Sequence, residues 1–145
     1  MATPEQNNAI ATRFFESVWT KGDFSVLDEL IAPDATDHSM IGGKAKTEKG
    51  SGSFRQIVSM FRHAMPDIKL HIDDAIFTGD KVVHRWTLNG TDTGGVMGMP
   101  PSNKKLTFTG ITIVRMRDGK ILERWAEVDQ LGLLQQLGVV PMPPE

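Results

Sequence analysis

The sequence predicts an α+β fold, a curved antiparallel sheet with helices over one face. Three observations predict it. Apolar residues recur at helical spacing up to about residue 65, strict alternation takes over from residue 67, and the two kinds of element are segregated along the chain. No internal repeat, linker or change of composition divides the 145 residues, so residues 1–145 read as one domain.

The first helix is signalled by Thr3 as cap, Pro4 in the first turn and Gln6 where a capping box needs it. Ile10, Phe14 and Val18 then form its apolar stripe, with Ala11 and Phe15 beside them. "KGDFSVLDELIAP" reads as a turn and a short second helix, capped by Asp23, striped by Phe24, Leu27 and Ile31, and followed by Pro33. "DATDHSMIGG" suits an edge strand, and "GKAKTEKGSGS" is a loop by composition. Ser51 or Ser53 can cap a third helix, whose Phe54, Ile57, Val58, Phe61 and Met65 share one arc and which Pro66 ends. Strands follow in "IKLHIDDAIF", "KVVHRWTLNGT", "KLTFTGITIVRM" and "KILERWAEVD", separated by the turn "TGD", the loop "DTGGVMGMPPSNK" and the turn "RDG". A last helix over about 130–137 stops at Gly138, with Pro141 beyond it.

Composition excludes several chemistries. A net charge of −2 gives no field to draw nucleic acid or an anionic membrane. Without cysteine there are no disulfides, thiolate ligands or thiol nucleophiles, and without tyrosine no phenolic acid. No apolar run of about 18 residues is present, and the N-terminal segment lacks the pattern of a secretory signal, so a soluble, cytoplasmic protein is expected. Walker, dinucleotide and nucleophile-elbow spacings are missing, and no histidines fall at i, i+4, so no metal and no cofactor is expected.

Asp129 stands between the last strand and the last helix. It reads as a helix cap, as a general base, or as both, because a helix N-terminus favours the ionised carboxylate. Of the four histidines, His63 and His71 fall on polar faces. His84 shares parity with Val82, Trp86 and Leu88, and His38 lies in the short "TDHS" segment. Trp86 and Trp125 are core residues or flat walls for a cyclic ligand, and Met97 and Met99 can form the apolar underside of a loop over a pocket.

"FFESVWTKGDFSVLDELIAPDATDHS" and "GTDTGGVMGMPPSNKKLTFTGITIVRMRDGKILERWAEVDQLGLLQQLGVVP" together resemble SnoaL-like polyketide cyclases of the nuclear transport factor 2-like superfamily. The match rests on Gly90–Thr91, Gly94, Gly98 with Pro100 and Pro101, the "DGKI" turn, the Trp125–Asp129 spacing and the Gln136–Leu137–Gly138 end. The resemblance implies a cone-shaped α+β barrel, its bent sheet wrapped around helices with a deep pocket. It also implies ring closure by intramolecular aldol condensation without metal or organic cofactor. Asp129 matches the family's acid/base aspartate, while the strand "GITIVRM" offers Arg115 where the family histidine is sought. His84 or His38 would then hydrogen-bond an enolate oxygen, and Trp86 and Trp125 would pack on the rings of a small hydrophobic molecule. Alternatives are an epoxide hydrolase or isomerase, with Asp129 and Arg115 orienting a water, and a non-catalytic binding or dimerisation module. A homodimer or higher homo-oligomer is expected, with the convex sheet face as its surface. Simple alternation in "KILERWAEVD" sends Asp129 outward with Ile121, Glu123, Trp125 and Glu127, against Leu122, Ala126 and Val128. A bulge would reverse that parity, and the family match predicts that Asp129 faces in.

Overall fold

The computed structural model describes residues 2–41, 44–45 and 49–144. Helix α1 (Pro4–Arg13) begins at the expected capping box: Thr3 Oγ1 accepts from the Gln6 N–H, and Gln6 Oε1 accepts from the Thr3 N–H. The helix continues as a π-helical segment over Phe14–Thr20, which buries Phe14, Phe15, Val18 and Trp19. The second helical region is shorter than expected. Asp23 caps a 3₁₀ turn (Phe24–Val26) through the Ser25 N–H, α2 is only Leu27–Leu30, and Ile31 opens strand β1 (Ile31–Asp37). Pro33 therefore lies in an edge strand, where a missing N–H is tolerated.

β2 (Met40–Ile41) and β3 (Lys44–Ala45) form a small antiparallel pair. Much of the loop predicted there, at 42–43 and 46–48, lies outside the described residues. α3 (Ser51–Ala64) is capped by neither expected serine. Gly50, at φ 77°, takes the N-cap position, Ser51 donates its hydroxyl to Asp28, and Ser53 is buried inside the helix. Phe54, Ile57, Val58 and Met65 fill the core as their arc predicts.

Strands β4 (Lys69–Thr78), β5 (Lys81–Thr91), β6 (Lys105–Arg117) and β7 (Lys120–Val128) pair antiparallel in sequence order. β1 adds to the far edge parallel to β7, a departure from the all-antiparallel expectation. The connection from β1 to β7 is long, running through α3 and strands β4–β6, as a parallel pair requires. One register shift lies between Arg115 and Met116, opposite Glu123 and Ile121. It is a bulge of the kind parity reversal needs, and it turns both Ile121 and Leu122 into the core. It stands near the start of β7, so the alternation from Leu122 onward is uninterrupted. Helix α4 (Gln130–Gln136) follows with Asp129 as its N-cap. Among the described residues no helix is long and apolar enough to cross a membrane.

Candidate active site

The inner faces of β5, β6 and β7 form one wall of a cavity, through Trp86 and Leu88, Phe108, and the row Arg124, Ala126 and Val128. Phe15 and Trp19 of the π-helical segment, Ile57 and Phe61 of α3, and Gln130 and Leu133 of α4 close it, with Met97 reaching in from the loop after β5. Rings meet at centroid separations of 5.9 Å for Trp19–Phe61, 6.1 Å for Phe61–Phe108 and 6.3 Å for Trp86–Phe108. Such a lining suits a flat, apolar guest. The chamber is narrow, its rings closing on one another across it.

Among the described residues, one full charge enters this lining. Arg124 is 3% exposed, and Asp37 beside it on β1 is 0% exposed. The two are Cα partners across the parallel β1–β7 pair, so the register itself sets them side by side. Arg124 Nη1 donates to Ser39 Oγ at 2.8 Å and lies 3.3 and 3.4 Å from the two Asp37 oxygens. Asp37 Oδ1 also accepts the Ser39 N–H at 3.0 Å. Burial lowers the Arg124 pKa and the Asp37 charge works against that lowering; a guanidinium stays protonated all the same. Among the described residues, buried Arg124 Nε has no hydrogen-bond partner.

The predicted site residues are scattered by comparison. Trp86 lines the cavity, its indole N–H donating to Thr112 at 2.9 Å, and Met97 lines it too, whereas Met99 does not. His84 is buried as its parity predicts, yet it packs on Phe15 and meets Asn8 Oδ1 through Nε2 at 2.8 Å, away from the cavity lining. Burial pulls its pKa down to about 4, so the ring is neutral at pH 7 and Nε2 carries the donated hydrogen. His38, Arg115 and Trp125 gather on the outer face of the sheet. His38 stacks on Trp125 at 4.9 Å, and both His38 and Arg115 pair with Glu123. Those two partners, Arg115 first, hold the Glu123 pKa below its ordinary value. Asp129 is exposed, and its Oδ1 accepts the Gly132 N–H at 2.9 Å as a helix cap. Its carboxylate borders an open outer groove with Asp73, Arg85 and Glu127, while its neighbours Val128 and Gln130 line the inner cavity.

Sequence reasoning missed Asp37, Ser39 and Arg124. A signal was there, since Arg124 occupies the inward set of β7 between Leu122 and Ala126. A lone charge in an apolar row marks a site whether or not a motif surrounds it.

Fold and site together define a small cone of bent sheet and helices around one aromatic chamber that holds a buried ion pair. The chain belongs to the SnoaL-like polyketide cyclase family, whose model matches residues 9–137, and it is an enzyme of that nuclear transport factor 2-like fold. It is 26% identical over 115 residues to the aklanonic acid methyl ester cyclase DauD of Streptomyces sp. strain C5, covering 78% of this chain and 67% of that one. It is 27% identical over 126 residues to the nogalonic acid methyl ester cyclase of Streptomyces nogalater, covering 84% and 90%. Among solved structures, wild-type IdmH of Streptomyces antibioticus superposes with a TM-score of 0.79 at 30% identity, over 92% of this chain and 99% of that one.

Proposed function

We propose that the protein closes a ring in a hydrophobic, enolisable carbonyl compound of polyketide type by acid/base chemistry, with Asp129 as the base. The observation that carries this reading is the aromatic chamber of β5–β7 with the buried cation Arg124 on its wall. Apolar walls hold a compact conformer of a flexible chain, and holding reacting carbons together supplies much of the barrier reduction an intramolecular reaction needs. The base takes a proton from carbon next to a carbonyl. The resulting enolate carbon bonds to a second carbonyl carbon of the same molecule, and the alkoxide formed there takes the proton back. Nothing is oxidised or reduced. Arg115, paired with Glu123 on the outer face, gives no support to a water-orienting role in this chamber.

Asp129 reaches the chamber only by leaving the Gly132 N–H. Its backbone, φ −71° and ψ 73°, lies at the strand–helix junction between the lining residues Val128 and Gln130, and turning the carboxylate inward gives up the cap, about 1 kcal/mol, besides the reorientation of that backbone. A positioned base contributes about 10²- to 10⁴-fold, roughly 3–5 kcal/mol, which exceeds the cost of the cap. The test is proton exchange at the central carbon of benzoylacetone in D₂O, followed by NMR. Wild type should accelerate it, and Asp129→Asn, which keeps a capping oxygen, should abolish the acceleration. Unchanged exchange in Asp129→Asn would reduce Asp129 to a cap.

A further inference from the structure

We propose that the Asp37–Arg124 pair is the oxygen-binding end of this chamber: Arg124 hydrogen-bonds the oxygen of an enolisable ketone or 1,3-dicarbonyl, and Asp37 and Ser39 position it. The inference rests on the cyclase reading and names the group that receives the charge the base creates. The histidines expected in that role do not line the cavity, whereas Arg124 does.

Arg124 carries five N–H donors. Asp37 and Ser39 both take Nη1, with the carboxylate at 3.3–3.4 Å, longer than the usual 2.7–2.9 Å of a charge-assisted pair. The two do not form a bidentate fork, and Nε is buried and unpartnered among the described residues. A buried donor left open in a dry chamber is costly unless a guest supplies the acceptor. An apolar side chain of similar volume would pack there at no loss, since such replacements of buried ion pairs are often neutral or stabilising. The charge balance selects the guest. Asp37 offsets much of the guanidinium charge, so attraction of anions in general is weak and recognition rests on the open N–H donor. A neutral carbonyl that becomes an enolate during reaction gains most, because the donor is already aimed and no water need reorganise.

The probe is benzoylacetone, whose enol and enolate differ in ultraviolet absorption. Titrated in the presence of saturating protein, its acidity should rise about tenfold or more over the free compound in wild type. The Asp37→Asn/Arg124→Gln double variant removes both charges together and should lose that rise. Ser39→Ala leaves both charges in place, threatens the fold least, and should reduce the rise about threefold. Arg124→Lys should retain only part of it. Asp129→Asn should retain all of it while losing proton exchange, so a failure of the base assignment appears in exchange and a failure of the oxygen site appears in the titration. Equal acidification in wild type and the folded double variant, no effect of Ser39→Ala, or no acidification by wild type would each overturn the proposal.

Discussion

Replacing Arg124 with methionine keeps most of the side chain's apolar stem and deletes the guanidinium. Asp37, at 0% exposure, is then left as a buried carboxylate with the Ser39 N–H as a remaining partner. Breaking a buried pair from one side costs about 3–5 kcal/mol. The retained Ser39 contact places the expectation at the lower end, about 3 kcal/mol. For a chain of this size each kcal/mol lowers Tm by about 2–4 °C, so Arg124→Met should melt roughly 6–12 °C earlier. Urea titration is the assay, with an unchanged m-value confirming that the denatured state is the same. Asp37→Leu/Arg124→Met should recover most of the loss, because both charges leave together and the space is refilled with apolar atoms. The cycle built from the two single variants and the double should show a coupling of about 5 kcal/mol, since each single loses about 3 and the double retains a loss of about 1. A loss below about 1 kcal/mol for Arg124→Met, the range of an exposed pair, would show that water reaches these groups. The dry oxygen site would then be untenable.

Asp129→Ala should cost about 1 kcal/mol of stability by removing the cap on Gly132, and Asp129→Asn much less, as read by thermal melts. His84 gives a pH signature. Its folded pKa, about 4, lies below the unfolded 6.5, so the unfolded chain binds the extra proton between these values and stability falls as pH drops through that window. At 1.36 kcal/mol per pKa unit the loss is about 3 kcal/mol, complete below pH 4, and His84→Gln should flatten that part of the urea-measured profile. Trp86→Ala should cost about 3–5 kcal/mol, since the ring is 4% exposed and donates to Thr112. Trp125→Ala should cost far less in the same denaturation assay, since that ring is 37% exposed and only stacks on His38.

The helices were legible wherever capping chemistry and period agreed, as at Thr3–Gln6 and in the arc of α3. They were misjudged where tertiary context overrode local signals. Gly50 caps α3 because a Cβ there would press on the Pro33 carbonyl, a contact between distant segments that no local reading of Ser51 or Ser53 reveals. The parallel addition of β1 was invisible for the same reason. β7 is the instructive case. Plain alternation sent Trp125 and Asp129 outward, and the structure places Trp125 on the outer face and the Asp129 carboxylate on an exposed groove. The expected bulge exists, but at Ile121–Leu122, before the segment it was invoked to turn. Trp125 had looked like a wall for a ligand; it is outward because every residue after the bulge keeps period 2. The same rule applied to Arg124 would have found the buried cation.

The chamber is narrow, and a ring-forming substrate would press first on the part of its wall that yields most easily. The loop between β5 and β6 is held from its base by Asp92, which is 1% exposed. Its carboxylate accepts the N–H groups of Gly95, Val96 and Ser102 and the Ser102 hydroxyl. Burial alone would raise the Asp92 pKa, and these hydrogen bonds, Ser102's first, outweigh it and hold the carboxyl below its ordinary value. A loop tied this way does not peel off at neutral pH without exposing an anchored carboxylate. Met97 is different. It sits at φ 55°, a left-handed conformation that costs a non-glycine residue about 1 kcal/mol or more, and it is the loop's contribution to the cavity lining. Relaxing that backbone releases strain, and the unbranched thioether has three rotatable bonds with which to move aside. Within this loop Met97 is thus the side chain best able to move aside, while Asp92 anchors the backbone around it.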